Sequence, residues 1–203
     1  MTIGILDAGM GNIGSIQRMI SKVGGKSTFL SSKKELFSAS KIILPGVGHF
    51  DEGIRSLARC GLVEPLMSAA RSGTPILGIC LGMQLLCRTS EEGDERGLGL
   101  VDGNVKKFNF PDETHLKIPH MGWNNVTVAR PNSLILAEER DLRFYFVHSY
   151  YVELDDPSLV IATAFHGREF CAAFQKDAIF GAQFHPEKSH KFGMALMKRF
   201  WEI

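Results

Sequence analysis

Short apolar segments recur through the first half of the chain at the spacing of buried strands. Ile3 to Leu6, Lys41 to Leu44 and Thr74 to Ile79 each have the length and composition of a strand buried on both faces. Pro45-Gly46 follows the second segment and is predicted to stop it. We therefore expect three strands of one sheet in this half of the chain.

Amphipathic stretches separate these strands. Phe50 to Ser72 has helical periodicity with a break at Cys60-Gly61, and Leu81 to Cys87 continues as a helix directly after the third strand. Between the first two strands, a helix ending near Gly24-Gly25 is predicted from four apolar residues at helical spacing: Ile13, Ile16, Ile20 and Val23. Alternating strands and helices are typical of an α/β fold with a mostly parallel sheet flanked by helices.

The second half of the chain is richer in extended segments. Residues 166–169 predict a hairpin turn, and a last helix places Phe192, Leu196, Phe200 and Ile203 on one face. The predicted strands are Asn125 to Val128, Phe144 to Val147, Val160 to Phe165, Phe170 to Phe174 and Ile179 to Phe184. We expect them to add an antiparallel extension to the parallel sheet, within a single domain spanning residues 1–203.

Composition narrows the class of protein. The chain has 203 residues, 44% hydrophobic and 22% charged, with a formal net charge of +1, so charge gives no indication of nucleic acid or an anionic membrane as partner. Its four cysteines form no CxxC pair, which argues against a disulfide framework and a structural zinc site. With neither a basic leader nor an apolar stretch of membrane-spanning length, we expect a cytoplasmic protein. We also expect it to need no metal or cofactor.

One cysteine stands in a pattern suited to nucleophilic chemistry. Gly78-Ile79-Cys80-Leu81-Gly82 lies between a predicted buried strand and a predicted helix, as in the nucleophile elbow of hydrolases. The tight turn strains the central residue, and glycine at both flanks removes clashes. A buried cysteine in a glycine-containing turn is the structural alternative. Cys60, Cys87 and Cys171 lack this setting and are expected to be core or surface thiols.

A thiol nucleophile needs a base, and His185 is the best candidate. It follows the predicted strand Ile179 to Phe184 in the segment His185-Pro186-Glu187. Proline favours extended geometry in the residue before it, so Glu187 is expected to lie on the same side as His185 and to orient the imidazole. Cys80 and His185 should meet at one sheet edge, because both directly follow strands. The alternative is a plain loop with a solvated acid.

Acyl transfer also requires amide donors for the developing oxyanion. The amide of Leu81, directly after the nucleophile, is one candidate. The loop Pro45-Gly46-Val47-Gly48 follows a predicted strand and should reach the same edge, with Val47 as the second donor. A simple Gly/Pro turn is the competing interpretation.

These motifs together resemble the class I glutamine amidotransferases, through residues 78–84 and 184–187. One family among them is resembled more closely, the glutaminase subunits (HisH) of imidazole glycerol phosphate synthase. Three further segments carry this resemblance, residues 44–50, 118–124 and 145–150, together with the histidine motif extended to residues 185–189. The resemblance covers essentially the whole chain, with five separated motifs in the same order.

The resemblance implies a flavodoxin-like sheet, a γ-glutamyl thioester on Cys80, and His185 acting as base and then acid. It also implies that ammonia passes through a tunnel to a barrel-shaped cyclase subunit (HisF), which makes imidazole glycerol phosphate and an aminoimidazole carboxamide ribotide in histidine biosynthesis. The glutamine-binding positions that it implies are Gly46, Gln84, His148, Ser149 and Tyr150.

The resemblance further implies a partner-facing role for four residues: Asn12, Met121, Trp123 and Lys188. Each has a structural alternative. Asn12 has the position of a helix N-cap, Trp123 could belong to the core, and Lys188 could be a solvated surface charge.

Other functions stay open at this stage. A paralogous glutaminase that supplies ammonia for surface-polysaccharide sugar amidation is one, since Asp7-Ala8-Gly9 replaces the Asp-Tyr-Gly of many histidine-pathway members. A cysteine hydrolase of peptides or γ-glutamyl conjugates could use the same triad. A non-enzymatic flavodoxin-like subunit, or dinucleotide binding through residues 9–14, is also compatible with parts of the sequence.

Overall fold

The chain forms a central sheet with helices on both faces. The computed structural model describes residues 2–111, 116–136, 138 and 141–203. Its strands are β1 (Ile3–Leu6), β2 (Ser27–Leu30), β3 (Lys41–Gly46), β4 (Ile76–Cys80), β5 (Thr89–Ser90), β6 (Gly103–Lys107), β7 (His120–Asn125), β8 (Thr127–Val128), β9 (Arg143–His148), β10 (Tyr150–Leu154), β11 (Val160–Phe165), β12 (Glu169–Lys176) and β13 (Ile179–Ala182). Its helices are α1 (Ile13–Lys22), α2 (Lys33–Ser38), α3 (Phe50–Arg59), α4 (Val63–Arg71), α5 (Leu81–Leu85) and α6 (His190–Glu202), with short 3₁₀ turns at Pro157–Leu159 and Pro186–Lys188.

The main sheet runs in the order β2-β1-β3-β4-β13-β12-β10-β6-β5. The pairs from β2 to β13 are parallel, and β13 then pairs antiparallel with β12. Strands β10, β6, β8 and β11 extend this antiparallel part, while β7 and β9 form a separate two-stranded sheet. The predicted α/β fold with a parallel centre and an antiparallel extension is confirmed.

The parallel strands bury both of their faces. Successive residues of a strand point to opposite sides, so Ile43 belongs to one apolar cluster while Ile42 and Leu44 belong to the other. The first cluster packs against α1 and α6, and the second against α2 to α5. These continuous apolar runs therefore match a sheet covered by helices on two sides.

Several sequence predictions were correct in kind and inexact in their limits. Pro45 does not stop β3, which continues to Gly46 and pairs there with Cys80, and α5 ends at Leu85, before Cys87. The strand predicted at Asn125 to Val128 is divided between two strands: Asn125 ends β7, which begins at His120, and Thr127–Val128 form β8. Pairing along the sheet outweighed the local stop signal of proline.

Strand β2 and helix α2 were not predicted. The residues of β2 are partly exposed at the sheet edge and give a weak apolar pattern. Helix α2 does carry a signal, because Ser32 and Glu35 form a reciprocal capping box at its start. That box was the observation that could have located the helix.

The close packing of α6 fixes the 3₁₀ turn that carries Glu187. A Cβ added at Gly193 would lie 1.8 Å from the carbonyl oxygen of Pro186. We expect Gly193→Ala to lower the free energy of unfolding by about 1–3 kcal/mol, the usual cost of overpacking, as measured by urea denaturation.

Gly14→Ala is the matched control for this substitution. Position 14 lies in α1, and the nearest atom to an added Cβ is the end of the Arg18 side chain at 3.5 Å. Its stability should stay equal or rise by up to about 1 kcal/mol, because alanine favours helix. Equal stabilities for Gly193→Ala and the natural chain would contradict the assigned packing.

Candidate active site

Cys80 stands at a strained turn between β4 and α5. Its backbone has φ 53° and ψ −110°, a conformation that side-chain-bearing residues rarely adopt. A Cβ at Gly78 would lie 2.6 Å from the Gly82 oxygen, and one at Gly82 would lie 1.8 Å from the Leu44 oxygen. Glycine at both flanks is thus a requirement of this packing, as the sequence predicted for an elbow.

His185 and Glu187 form a buried pair beside this turn. Their side chains are 2% and 4% exposed, and the Nδ1 atom of His185 lies 2.8 Å from the Oε1 atom of Glu187. The predicted reason was partly wrong, because residues 186–188 form a 3₁₀ turn and not an extended segment. The turn still returns the carboxylate to the imidazole, so the predicted contact is present.

The thiol and the imidazole are close enough to influence each other. Burial lowers the pKa of the His185 imidazole, but Cys80 and Glu187 raise it more, to about 10. Within the described segments the buried Nε2 atom of His185 makes no hydrogen bond of ordinary geometry, so the influence of Cys80 is better described as charge proximity than as a formed bond. Loose contacts of this kind are common in catalytic sites without substrate.

Cys80 opens onto a cavity of about 280 Å³. This volume suits a ligand the size of an amino acid. The cavity is lined by the elbow, the loop after β3 and the segment joining β9 to β10: Val47, Gly48, Cys80, Leu81, Gln84, Glu92, Pro119, Val147, His148, Ser149 and Tyr150. The structure therefore gathers most of the residues predicted for glutamine and for the oxyanion around one space.

The loop after β3 reaches the elbow as expected. Gly46 pairs with Cys80 across the ladder, and Val47 and Leu81 both line the cavity. Val47 is 51% exposed, and Gly48 has φ 107°, which favours glycine. Gly46 is not among the lining residues; a Cβ there would lie 2.8 Å from the Gly82 nitrogen, which gives this glycine a packing role.

Gln84 and His148 are held by their own hydrogen bonds. The Gln84 side-chain nitrogen donates to the Tyr150 carbonyl at 3.1 Å and to the Gln183 side-chain oxygen at 3.2 Å. The Nδ1 atom of His148 lies 2.7 Å from the same carbonyl oxygen, which can only accept. These two side chains thus fix the Tyr150 backbone at the cavity wall.

A second buried histidine extends this arrangement. The Nε2 atom of His148 lies 2.9 Å from Nδ1 of His120, whose Nε2 atom lies 3.0 Å from the Asn124 amide nitrogen. Burial lowers the pKa of His148 to about 3 and that of His120 to about 4, so both rings are neutral near pH 7. Each ring then donates through Nδ1 and accepts through Nε2.

Glu92 lines the cavity although it was not predicted from the sequence. Its Oε2 atom accepts a hydrogen bond from the Phe50 amide at 2.8 Å, and its own amide donates to the Ser90 hydroxyl at 3.1 Å. These contacts hold a carboxylate at the rim beside the elbow. In the sequence Glu91 and Glu92 are adjacent, and nothing there indicates which of the two side chains faces the cavity.

The residues predicted to face a partner lie on the surface near the site. Met121 is 62% and Trp123 45% exposed, so the core alternative for Trp123 is wrong. Tyr145 connects Trp123 to Lys188: its ring contacts the Trp123 ring edge-on, and the Lys188 Nζ atom lies 5.5 Å from its centroid. Asn12 does cap α1, because its side-chain oxygen accepts from the Ser15 amide at 3.1 Å.

Other kinds of site receive little support. Among the described residues, no group of three or more histidine, cysteine, aspartate or glutamate side chains could hold a metal ion. No described helix is both long and apolar enough to cross a membrane. Gly9 and Gly11 have positive φ angles in the turn before α1, where Gly11 packs on Pro45.

Comparison with solved structures supports the fold. A glutamine amidotransferase superposes with a TM-score of 0.73 at 18% identity, covering 98% of this chain and 97% of the other. PurLQS from Thermotoga maritima gives a TM-score of 0.72 at 20% identity, covering 98% and 95%. Identities this low establish the architecture alone.

Closer similarity appears at the level of sequence. The imidazole glycerol phosphate synthase subunit HisH 2 of Methanococcus maripaludis is 47% identical over 199 residues, and the HisH subunit of Leptospira interrogans is 45% identical over 200, each alignment covering 98% of both chains. The family model described as Glutamine amidotransferase class-I matches residues 4–203. Near-complete matches of both kinds show that the chain belongs to the class-I glutamine amidotransferase family, where it groups with the HisH subunits.

Proposed function

We propose that this chain hydrolyses glutamine to glutamate and ammonia through Cys80, His185 and Glu187. The ammonia serves a cyclase partner (HisF) in imidazole glycerol phosphate synthase. The observation that carries the proposal is the strained Cys80 at an amino-acid-sized cavity, beside the buried His185–Glu187 pair and near enough to raise the pKa of the imidazole. Family membership supplies the reaction class.

The geometry supports a two-step acyl transfer. The Cys80 thiolate attacks the side-chain carbonyl carbon of glutamine, and the resulting oxyanion is stabilised by the Leu81 and Val47 amides. His185 then gives its proton to the amide nitrogen, the carbon–nitrogen bond breaks, and ammonia leaves a thioester on Cys80. A pKa raised to about 10 keeps this imidazole protonated at neutral pH, ready for that step.

Hydrolysis of the thioester returns the site to its starting state. The neutral His185 accepts a proton from water, whose oxygen attacks the thioester carbon and expels the sulfur as thiolate. Glu187 holds the Nδ1 side of the imidazole at 2.8 Å throughout, which favours the same ring orientation in both steps. Glutamate then dissociates from the cavity.

The cavity also suits the amino-acid end of glutamine. We assign Glu92 to the substrate's α-ammonium group, because among the described residues that line the cavity it alone carries a carboxylate. The Ser149-Tyr150 backbone, fixed by Gln84 and His148, forms the opposing wall for the rest of the substrate. Gly46 packs against Leu81 and Gly82 of the elbow on the other side of the cavity.

The partner face follows from the position of the exposed residues. Met121, Trp123, Tyr145 and Lys188 form a surface next to the triad, since the His185 amide donates to the Tyr145 carbonyl at 2.8 Å. We place the cyclase on this surface, with Asn12 at its margin. The relatives cited above are named for imidazole glycerol phosphate synthase, which favours it over polysaccharide sugar amidation.

The nucleophile assignment is tested with a glutamine-mimicking electrophile followed by intact mass measurement. The natural chain should gain one adduct, and Cys80→Ala none, with glutamate release lowered about 10⁴-fold because the attacking atom is absent. Cys60→Ala, which changes an exposed thiol, is the control and should behave like the natural chain. An adduct on Cys80→Ala would refute the nucleophile assignment, and a γ-glutamyl peptide hydrolysed faster than free glutamine would refute glutamine as the substrate.

Glu92→Gln tests the binding of the α-ammonium group. Losing the charge partner should raise KM for glutamine about 10- to 100-fold and leave kcat within about threefold, measured by steady-state glutamate release. Glu91→Gln is the matched control, because Glu91 contacts Lys106 and the Lys107 amide away from the cavity. A change in kcat with an unaltered KM would count against this role.

The loop after β3 leads to an expectation about regulation. Its glycines permit a peptide rotation that would align the Val47 amide with the oxyanion. Glutamate release by the isolated chain should therefore be low and should rise when the cyclase, bound to its nucleotide substrate, is added. Trp123→Ala should reduce this rise without changing the basal rate. Equal rates of glutamate release with and without the liganded partner would contradict activation by the partner.

A further inference from the structure

Gln183 is a fully buried polar residue to which the two-step reaction gives no task. It directly follows β13, two residues before His185, and its side chain is 0% exposed. Its side-chain nitrogen lies 3.8 Å from the Cys80 sulfur. We propose that Gln183 is a sulfur-positioning residue, whose amide donates to the Cys80 thiolate and holds it for attack; this inference rests on the proposed role of Cys80.

The direction of the Gln183 amide is fixed by its neighbours. The Tyr150 carbonyl can only accept, so the Gln84 atom that contacts it must be the nitrogen. That nitrogen also contacts Gln183, which must therefore present its oxygen, at 3.2 Å. The remaining –NH₂ group of Gln183 then faces Cys80. The amide cannot be flipped without placing two donors against each other at Gln84.

The sulfur needs such a donor once it has lost its proton. As a thiol, Cys80 donates to the Val147 carbonyl at 3.8 Å, and this contact becomes unfavourable when the sulfur is an anion. A neutral amide donor stabilises the thiolate over the thiol and does not itself titrate. Two sets of titratable groups surround the Cys80 sulfur. His185 lies beside it and contacts Glu187, and the cavity that the sulfur faces is lined by Glu92, Tyr150 and His148.

The backbone holds the amide in place. The Gln183 amide nitrogen of the main chain donates to the Ala172 carbonyl at 2.9 Å, which ties this residue to β12. A buried side-chain amide is costly unless both of its ends are bonded. The side-chain oxygen of Gln183 accepts from Gln84 and its nitrogen contacts Cys80, so the sulfur helps to offset the cost of burying this amide.

The experiment measures how fast iodoacetamide alkylates Cys80 as a function of pH, in the full chain, with site-resolved mass spectrometry to separate Cys80 from the exposed Cys60. In Gln183→Leu the pH of half-maximal rate should rise by about one unit, because a donor to the anion is lost. In Gln183→Glu the pH of half-maximal rate should rise further, because one carboxylate oxygen would face the sulfur while Gln84 still donates to the other.

Steady-state glutamate release gives a second readout. For both variants kcat should fall about 10-fold while KM changes less than about twofold, since the affected atom is the nucleophile and not a binding group. Gln175→Leu is the matched control: Gln175 lies on β12 with its side-chain nitrogen on the Asp177 carbonyl, and its alkylation profile should equal that of the natural chain.

The inference is overturned if the alkylation midpoint is unchanged in folded Gln183→Leu and Gln183→Glu, whether or not their stability is lowered. Should Gln183→Leu fail to fold, Gln183→Glu decides alone, because it has nearly the same shape and keeps the bond to Gln84. If Gln183 proves to have no effect on the sulfur, the glutaminase proposal still holds as long as Cys80→Ala loses activity. A fully active Cys80→Ala would contradict the glutaminase proposal itself.

Discussion

The close backbone approach between the Cys80 turn and the end of β3 is the constraint on which the site depends. Gly82 sits against the Leu44 carbonyl, and Gly46 pairs with Cys80 in the ladder. A strained conformation of about 1–3 kcal/mol persists only when its surroundings over-determine it, and here strands on both sides do so. The same contact that strains Cys80 also brings the loop at Val47 next to it, so the packing of the β3 end against the elbow forms both parts of the candidate site.

Parallel pairing then joins segments that are far apart in sequence. Strands β4 and β13 are neighbours, with Ile79 opposite Ala182, so the residues that follow each strand leave the sheet side by side. This register places Cys80 near both Gln183 and His185. The antiparallel part of the fold contributes the facing wall at Tyr150. The parallel half thus carries Cys80, His185 and part of the cavity lining, and the segment joining β9 to β10 completes the wall.

Local motifs made part of this site predictable. The glycines around Cys80 and the proline after His185 limit the backbone directly, so a short stretch of sequence contains enough information. Glu92 and Gln183 have no such signature, because their side chains are held by tertiary neighbours, Phe50 and Gln84 respectively. The same holds for β3, where pairing with β4 carried the strand through a proline that alone would have ended it.

The two neutral histidines behind Tyr150 have a consequence for the chemistry of the wall. With pKa values of about 3 and about 4, His148 and His120 gain no charge across the range in which cells work. The donors and acceptors that run from Asn124 to the Tyr150 carbonyl keep one polarity over that range. A ligand bound against this wall would therefore meet the same hydrogen-bonding groups at any pH in that range, whereas His185, beside the sulfur, holds a proton at neutral pH.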